Sequence, residues 1–134
     1  MRLIFKIFVF IHLIHGSTFN LSAQNKTLDS LNLLLKQPLH DTVRCLVLAN
    51  LTNRCSENDL SNYNDRLCEY AQSKLKQTHD KAEIVFFKKY YAVSLSNKGF
   101  IAAGKADLKS ALELFNKSLL IYTEVSSVAF SSSL

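Results

Sequence analysis

Five stretches of the chain carry apolar residues three or four positions apart, which is the spacing of a helix that buries one face. No stretch alternates apolar and polar residues as a half-buried strand would, so the pattern predicts an all-α fold. Pro38, a polar loop over residues 56–62 and short turns separate the helices. The predicted helices are Thr27 to about Gln37, Asp41 or Thr42 to the loop, Asn62 or Tyr63 to about Gln77, Asp80 to Gly104, and Asp107 to about Glu124.

Residues at the helix boundaries carry specific expectations. Asp80, with Glu83 three positions later, is typical of a capping box, in which each side chain binds the backbone N–H of the other residue. Gly104 is expected to end the fourth helix in the left-handed conformation, and Asp107 is expected to cap the fifth.

The fourth predicted helix carries two adjoining apolar stripes, so it needs neighbours on two sides. Its contact with the fifth helix is predicted to be close because small residues occur on both: Gly99, Ala102, Ala103 and Ala111. Phe115 is expected to fill the space between this pair and the next. Repetition of such a helix pair gives a solenoid.

Residues 92–125 resemble a tetratricopeptide repeat (TPR), a helix–turn–helix unit of about 34 residues. The matching positions are Leu95, Gly99, Ala111, Phe115, Leu119 and Tyr122. The departures are Ala102 for the usual tyrosine, Ala106 for the turn glycine, Ser118 for the second alanine and Thr123 for the closing proline. Residues 66–75 are a weaker copy of residues 110–119, at a spacing that requires a longer fourth helix or an enlarged turn.

The resemblance implies a short solenoid of antiparallel helical hairpins, with a concave groove formed by the first helix of each pair. Such a groove binds an extended or helical peptide. The candidate groove residues are Asn50, Arg54, Lys89, Ser96, Asn97 and Lys98. The candidate repeat-packing residues are Leu95, Gly99, Ala102, Ala111, Phe115 and Leu119. A solenoid normally needs about three repeats and a polar cap, so about two units suggest an incomplete chain; otherwise the uncapped end is expected to be covered by a partner or by self-association.

The first 23 residues have the composition of a secretory signal peptide, with early basic residues, an apolar run and small residues before a cleavage site. The features are Arg2, Lys6, the run from Leu3 to Ile14, and Ala23. The alternative is an uncleaved membrane anchor, but the run is shorter than the roughly 20 residues needed to cross the hydrocarbon core. We therefore expect an exported protein, periplasmic or secreted, that consists of a signal peptide (1–23), a TPR-like helical domain (24–126) and a disordered tail (127–134).

Composition and motifs argue against several functions. The chain has 16 Lys and Arg, 11 Asp and Glu and a net charge of +5, but its basic residues are scattered among acidic ones, so we expect no nucleic-acid binding. Its three cysteines form no CxxC pair, which argues against zinc. His40–Asp41 and His79–Asp80 lie at predicted helix starts, where capping is expected instead of catalysis. The sequence therefore predicts neither an enzyme nor a cofactor.

The predicted function is a non-catalytic module that binds a protein or peptide. The chain also resembles the amino-terminal portion of exported bacterial TPR-containing proteins, so one alternative is the sensory domain of a histidine kinase or transcriptional regulator without its output domain. A second alternative is a small helical carrier of an apolar ligand, whose closed pocket would be lined by Phe86, Tyr90 and Phe100. Membrane contact is expected only through an uncleaved amino-terminal segment.

Overall fold

Five α-helices account for nearly all of the part of the chain that the computed structural model describes, which is residues 26–131 without the side chains of residues 129–131. They are α1 (26–34), α2 (Asp41–Arg54), α3 (Glu57–Gln77), α4 (Lys81–Gly104) and α5 (Leu108–Ser131). No strand occurs within this described range, so the predicted all-α class is confirmed there. The predicted signal peptide lies outside the described residues.

Each of the helices α2, α3 and α4 packs antiparallel to the helix that follows it. Side-chain bonds join the early part of one helix to the late part of its neighbour: Tyr70 to Asp41, Lys98 to Asp65, and Lys88 to Glu124. Helix α2 also contacts α4, so these two helices lie side by side and run in the same direction. No contact between α3 and α5 occurs among the described residues.

The core lies where α2, α3 and α4 meet. Phe87 of α4 is fully buried there, against side chains of the two other helices: Cys45, Leu48, Ala49 and Leu67. Leu35, which follows α1, packs against this cluster from outside. Arg44 holds the same segment in place, because its guanidinium donates hydrogen bonds to the carbonyl oxygens of Leu35 and Gln37, both at 2.9 Å. Helix α1 is thereby attached to α2.

Helix α3 begins earlier than the sequence pattern predicts. We expected a loop over residues 56–62, but only Cys55 and Ser56 separate α2 from α3, so this prediction is wrong. The Ser56 hydroxyl accepts a hydrogen bond from the Asp59 N–H at 3.3 Å, which caps the new helix. Glu57 and Asp59 place negative charge in the first turn, where the helix dipole favours it.

Asp80 caps α4 as predicted, because its carboxylate accepts the Glu83 N–H at 2.9 Å. The other half of the predicted capping box is replaced. The Glu83 carboxylate accepts a hydrogen bond from the Thr78 hydroxyl at 2.6 Å, and that hydroxyl accepts the Asp80 N–H at 3.2 Å. Thr78 therefore connects the two capping residues.

The turn between α4 and α5 does not use Gly104 as its left-handed residue, so this prediction is wrong. The residue with positive φ is Ala106, at 61°. Its N–H donates to the Ala103 carbonyl at 2.9 Å, and the Asp107 N–H donates to the Ala102 carbonyl at 3.0 Å. These two bonds form a Schellman motif, whose left-handed position follows the helix by two residues. Asp107 caps α5 as predicted, since its carboxylate accepts the Ser110 N–H at 3.1 Å.

Helix α5 continues to Ser131, past the predicted end at Glu124, so residues 127–131 of the predicted tail are helical. Val125 is half-buried on the side of α5 that faces α4. The hydroxyls of Ser126 and Ser127 donate to carbonyls one turn back within the helix, each at 2.8 Å. The serines that suggested a tail therefore bond locally to helical backbone.

Candidate functional site

The two helices that lie side by side, α2 and α4, carry all six predicted groove residues. Asn50 and Arg54 are exposed on α2, and the Asn50 amide donates to the Leu46 carbonyl of its own helix at 2.9 Å. On α4, Lys89 is exposed and Ser96 is half-buried. These four residues lie outside the core, on surfaces that a partner can reach.

Asn97 and Lys98, the other two predicted groove residues, point towards α3. The Asn97 amide donates to Asn64 Oδ1 at 3.0 Å, and Lys98 Nζ lies 2.8 Å from Asp65 Oδ1. The hydrogen bond to Asp65 raises the pKa of Lys98 above its usual range. The structure therefore separates these two residues from the other four and uses them to join α3 to α4.

Large apolar side chains are exposed beside the four remaining groove residues. Val43 and Leu46 on α2 are 43% and 38% exposed, and Phe100 on α4 is 67% exposed. Among the described residues α2 and α4 touch while α3 and α5 do not, so the helices are more closely spaced on the side of α2 and α4. We call the exposed and half-buried residues on this side the groove surface: Val43, Leu46, Asn50, Arg54, Lys89, Ser96 and Phe100.

The predicted repeat-packing residues divide into a buried group and an exposed group. Leu95 and Ala111 are buried, Ala102 is half-buried, and Gly99 is buried against α5. A Cβ on Gly99 would lie 2.9 Å from the Phe115 ring and 3.2 Å from the Ala111 carbonyl oxygen. Helices α4 and α5 thus approach closely at this glycine. Phe115 and Leu119, in contrast, are exposed.

A contiguous apolar surface remains uncovered on the α4–α5 pair. Phe115 lies over Gly99, the residue before Phe100. Lys117, on the opposite side of α5, lies over the Tyr91 ring at 5.9 Å, and Tyr91 is about half a turn away from Phe100 around α4. Phe100 and the Phe115 stripe are therefore on the same side of the pair. We call this surface the open apolar face; its residues are Phe100, Leu108, Leu112, Phe115 and Leu119, which are 67%, 70%, 62%, 39% and 60% exposed.

The three aromatic residues that would line the pocket of a carrier protein do not lie together. Phe86 contacts Phe87 edge-on, with ring centroids 5.3 Å apart, and contacts Tyr90 at 4.9 Å. These rings pack against the core, while Phe100 is exposed, so Phe86, Tyr90 and Phe100 do not enclose a common pocket. An open cleft of about 350 Å³ lies elsewhere, between the start of α4 and the end of α5, with Ile84, Val85 and Val125 among its lining residues.

Sequence reasoning missed a polar cluster inside the α3–α4 contact. Asn64 is fully buried, and its amide donates to the Ser94 carbonyl at 2.9 Å while its oxygen accepts from Asn97. Its position on the buried stripe of α3, between Leu60 and Leu67, was the available signal. A polar residue at that position needs a partner on another helix.

A second missed cluster joins the start of α2 to the end of α3. Asp41 accepts a hydrogen bond from the Tyr70 hydroxyl at 2.7 Å, and Lys74 Nζ lies 2.8 Å from its other oxygen. The hydrogen bond to Lys74, followed by that to Tyr70, lowers the pKa of the Asp41 carboxyl. Burial, with the hydrogen bond to Asp41, raises the pKa of Tyr70. The neighbouring His40 caps α2, because its ring nitrogen accepts the Thr42 N–H at 3.4 Å.

The cysteines and the helices of the described range bear on three other kinds of function. All three cysteines are free, and burial raises the pKa of Cys45 to about 12, which makes it a poor nucleophile. Within residues 26–131, no cluster of His, Cys, Asp and Glu is arranged to hold a metal ion. None of the helices described is both long and apolar enough to span a bilayer.

Comparison with known proteins gives no relative: no protein-family model, curated protein or solved structure matches the chain. The fold and the surfaces described above are therefore the basis for assigning a function.

Proposed function

We propose that the chain is a non-catalytic protein-binding module of TPR-like architecture, which receives a peptide segment on the groove surface. The observation that carries this proposal is the parallel contact of α2 with α4, which brings exposed apolar and polar side chains of two helices onto one side. Peptide grooves of helical repeats combine apolar anchors with polar groups that set orientation.

Contacts within residues 92–125 support the TPR-like part of the proposal. Gly99, Ala111 and Phe115 stand at the small, alanine and aromatic positions of the repeat, and they meet where α4 and α5 approach each other closely. Ala106, which stands at the position of the turn glycine, adopts the left-handed conformation that favours glycine. Helix α4 has 24 residues, consistent with the longer helix that the spacing of the weaker copy requires.

The chemistry of the groove surface indicates what kind of peptide fits. Val43, Leu46 and Phe100 offer apolar contacts, whereas Asn50 and Ser96 offer hydrogen-bonding groups. Lys89 adds a positive charge on α4. A segment with two or three large apolar side chains and a nearby carboxylate matches this surface.

A peptide-display selection against the full-length chain tests the proposal. We expect selected peptides to bind with micromolar or better affinity and to lose at least about tenfold in affinity on Leu46→Asp. Gln72→Asp, on an exposed part of α3, is the matched control and is expected to leave binding unchanged. The proposal fails if no peptide is selected, or if Leu46→Asp and Gln72→Asp have the same effect.

A further inference from the structure

The structure assigns a second interface to the open apolar face: we propose that it binds a second copy of this chain, through antiparallel packing of α5 against α5 of the other copy. This inference does not require the peptide proposal, because four of the five residues of the open apolar face, Leu108, Leu112, Phe115 and Leu119, lie on α5, whereas the groove surface lies on α2 and α4; Phe100 alone belongs to both surfaces. An exposed apolar surface of this extent marks an interaction site in a folded protein.

The spacing of the exposed residues on α5 favours a two-fold symmetric partner. Leu108, Leu112, Phe115 and Leu119 are separated by four, three and four residues, which reads the same in both chain directions. Alternating steps of three and four are the spacing of a two-helix seam. In an antiparallel pair, Leu108 lies opposite Leu119 of the second copy, and Leu112 lies opposite Phe115. All four side chains of both copies are then covered.

The residues that flank the seam are compatible with this arrangement. On the side of α5 away from α4, the flanking positions are Lys109 and Asn116, seven residues apart. In the antiparallel alignment Lys109 of one copy comes next to Asn116 of the other, so no like charges meet. On the α4 side, the flanking positions are Ala111 and Ser118, both buried and small.

Phe100 extends the interface at its centre. The contact of Gly99 with Phe115 and Ala111 places this part of α4 level with the middle of the Leu108–Leu119 stripe. The two-fold axis of an antiparallel pair passes through that level, and both α4 helices lie on the same side of the α5 pair. Phe100 therefore approaches Phe100 of the second copy near the axis. An exposure of 67% for an aromatic ring is explained by this contact.

The oligomeric state of the full-length chain, measured by sedimentation velocity from about 1 to 100 µM, tests the inference. We expect a dimer with a micromolar Kd, because the stripe is smaller than the roughly 20–30 residues a side of a standard interface. Leu119→Glu should raise that Kd at least about tenfold. Leu120→Glu is the matched control: Leu120 is the next residue and 70% exposed, but lies off the stripe, so its effect should stay within about twofold.

The inference is overturned if the wild-type chain is monomeric at about 100 µM, or if Leu119→Glu and Leu120→Glu act alike. Circular dichroism establishes that the variants are folded, and Leu112→Glu replaces Leu119→Glu if Leu119→Glu does not fold.

Cysteine cross-linking in a Cys55→Ser background tests whether the two α5 helices run in opposite directions. A mixture of Lys109→Cys and Asn116→Cys chains should link through a short bismaleimide, whereas linking of Lys109→Cys to itself contradicts antiparallel packing.

Discussion

Gly99 is the residue that sets the distance between α4 and α5. Any side chain there meets the Phe115 ring and the Ala111 backbone carbonyl, and the carbonyl cannot rotate away. We expect Gly99→Leu to lower the free energy of unfolding in urea by about 1–3 kcal/mol through overpacking. Gly104 is the control, because a Cβ there meets nothing within 4 Å. Gly104→Ala should instead raise stability by about 0.5–1 kcal/mol, and equal losses at both glycines would contradict the explanation.

Asn64 is the buried polar residue whose hydrogen bonds are expected to contribute most to stability. Asn64→Ala removes the donor to the Ser94 carbonyl and leaves the half-buried Asn97 amide without its acceptor. We expect a loss of about 2 kcal/mol in the free energy of unfolding, measured by urea denaturation. Asn50→Ala, at an exposed site, should change stability by less than about 0.5 kcal/mol. Similar effects at the two asparagines would mean that the α3–α4 cluster contributes little.

These residues mark what periodicity predicts and what it does not. The sequence identified packing residues that are buried, such as Leu95, Gly99 and Ala111. It assigned Asn97 and Lys98 to a groove, although both bind α3. The reason is physical: spacing fixes which residues share a face, but a polar side chain on the edge of that face turns towards whichever helix supplies its partner. That partner is distant in sequence.

At the scale of the element, the α4–α5 turn places an alanine where glycine is favoured. Left-handed backbone costs an L-residue about 1–2 kcal/mol, part of which is offset by the greater chain entropy of glycine when unfolded. We expect Ala106→Gly to raise the free energy of unfolding by about 0.5–1 kcal/mol in thermal and urea melts. Ala103→Gly, within α4, should lower it by about 1 kcal/mol. A loss at Ala106 would show that its φ of 61° is not strained.

The α2–α3 pair should show a pH dependence that arises from Asp41. Its carboxyl pKa lies below the ordinary value of 3.8 because Lys74 and Tyr70 bind the ionised form. The stabilisation is therefore fully present above pH 3.8 and is lost as the pH falls through the lower pKa of the folded state. We expect the difference in urea midpoint between wild type and Asp41→Asn to shrink as the pH falls from 6 to 2. Glu113→Gln, at an exposed site on α5, should parallel wild type throughout.

Some helix boundaries depend on residues close in sequence and others on residues that are distant in sequence. The start of α4 at Asp80 was predictable because the cap and the N–H it binds are three residues apart. The start of α3 was misjudged because the polar residues 56–62 are equally suited to a loop and to an exposed first turn. The end of α5 was not predicted because Val125 faces Ile84 and Val85 of α4 across a cleft, and those residues are distant in sequence. An N-cap can therefore be predicted from residues close in sequence, whereas the length of a helix also depends on residues that are distant in sequence.

At the scale of the whole molecule, each helix from α2 to α5 contacts the helices next to it in sequence. Among these four helices, the one further contact joins α2 to α4. Within the described part of the chain, helix α5 therefore contacts α4 alone, whereas α2, α3 and α4 share the cluster around Phe87. In such an array stability is a sum of nearest-neighbour terms, so one end can open without the rest.

Native-state hydrogen exchange, followed by mass spectrometry at a concentration where the chain is monomeric, tests this consequence. Phe115→Ala removes a contact made only between α5 and α4, so we expect faster exchange in α5 and unchanged exchange in α2 and α3. Phe87→Ala leaves a cavity where three helices meet, and it should cost about 3–5 kcal/mol and accelerate exchange in α2, α3 and α4 together. If Phe115→Ala accelerates exchange equally in α2 and α3, the helices open as one cooperative unit and α5 is not separately held.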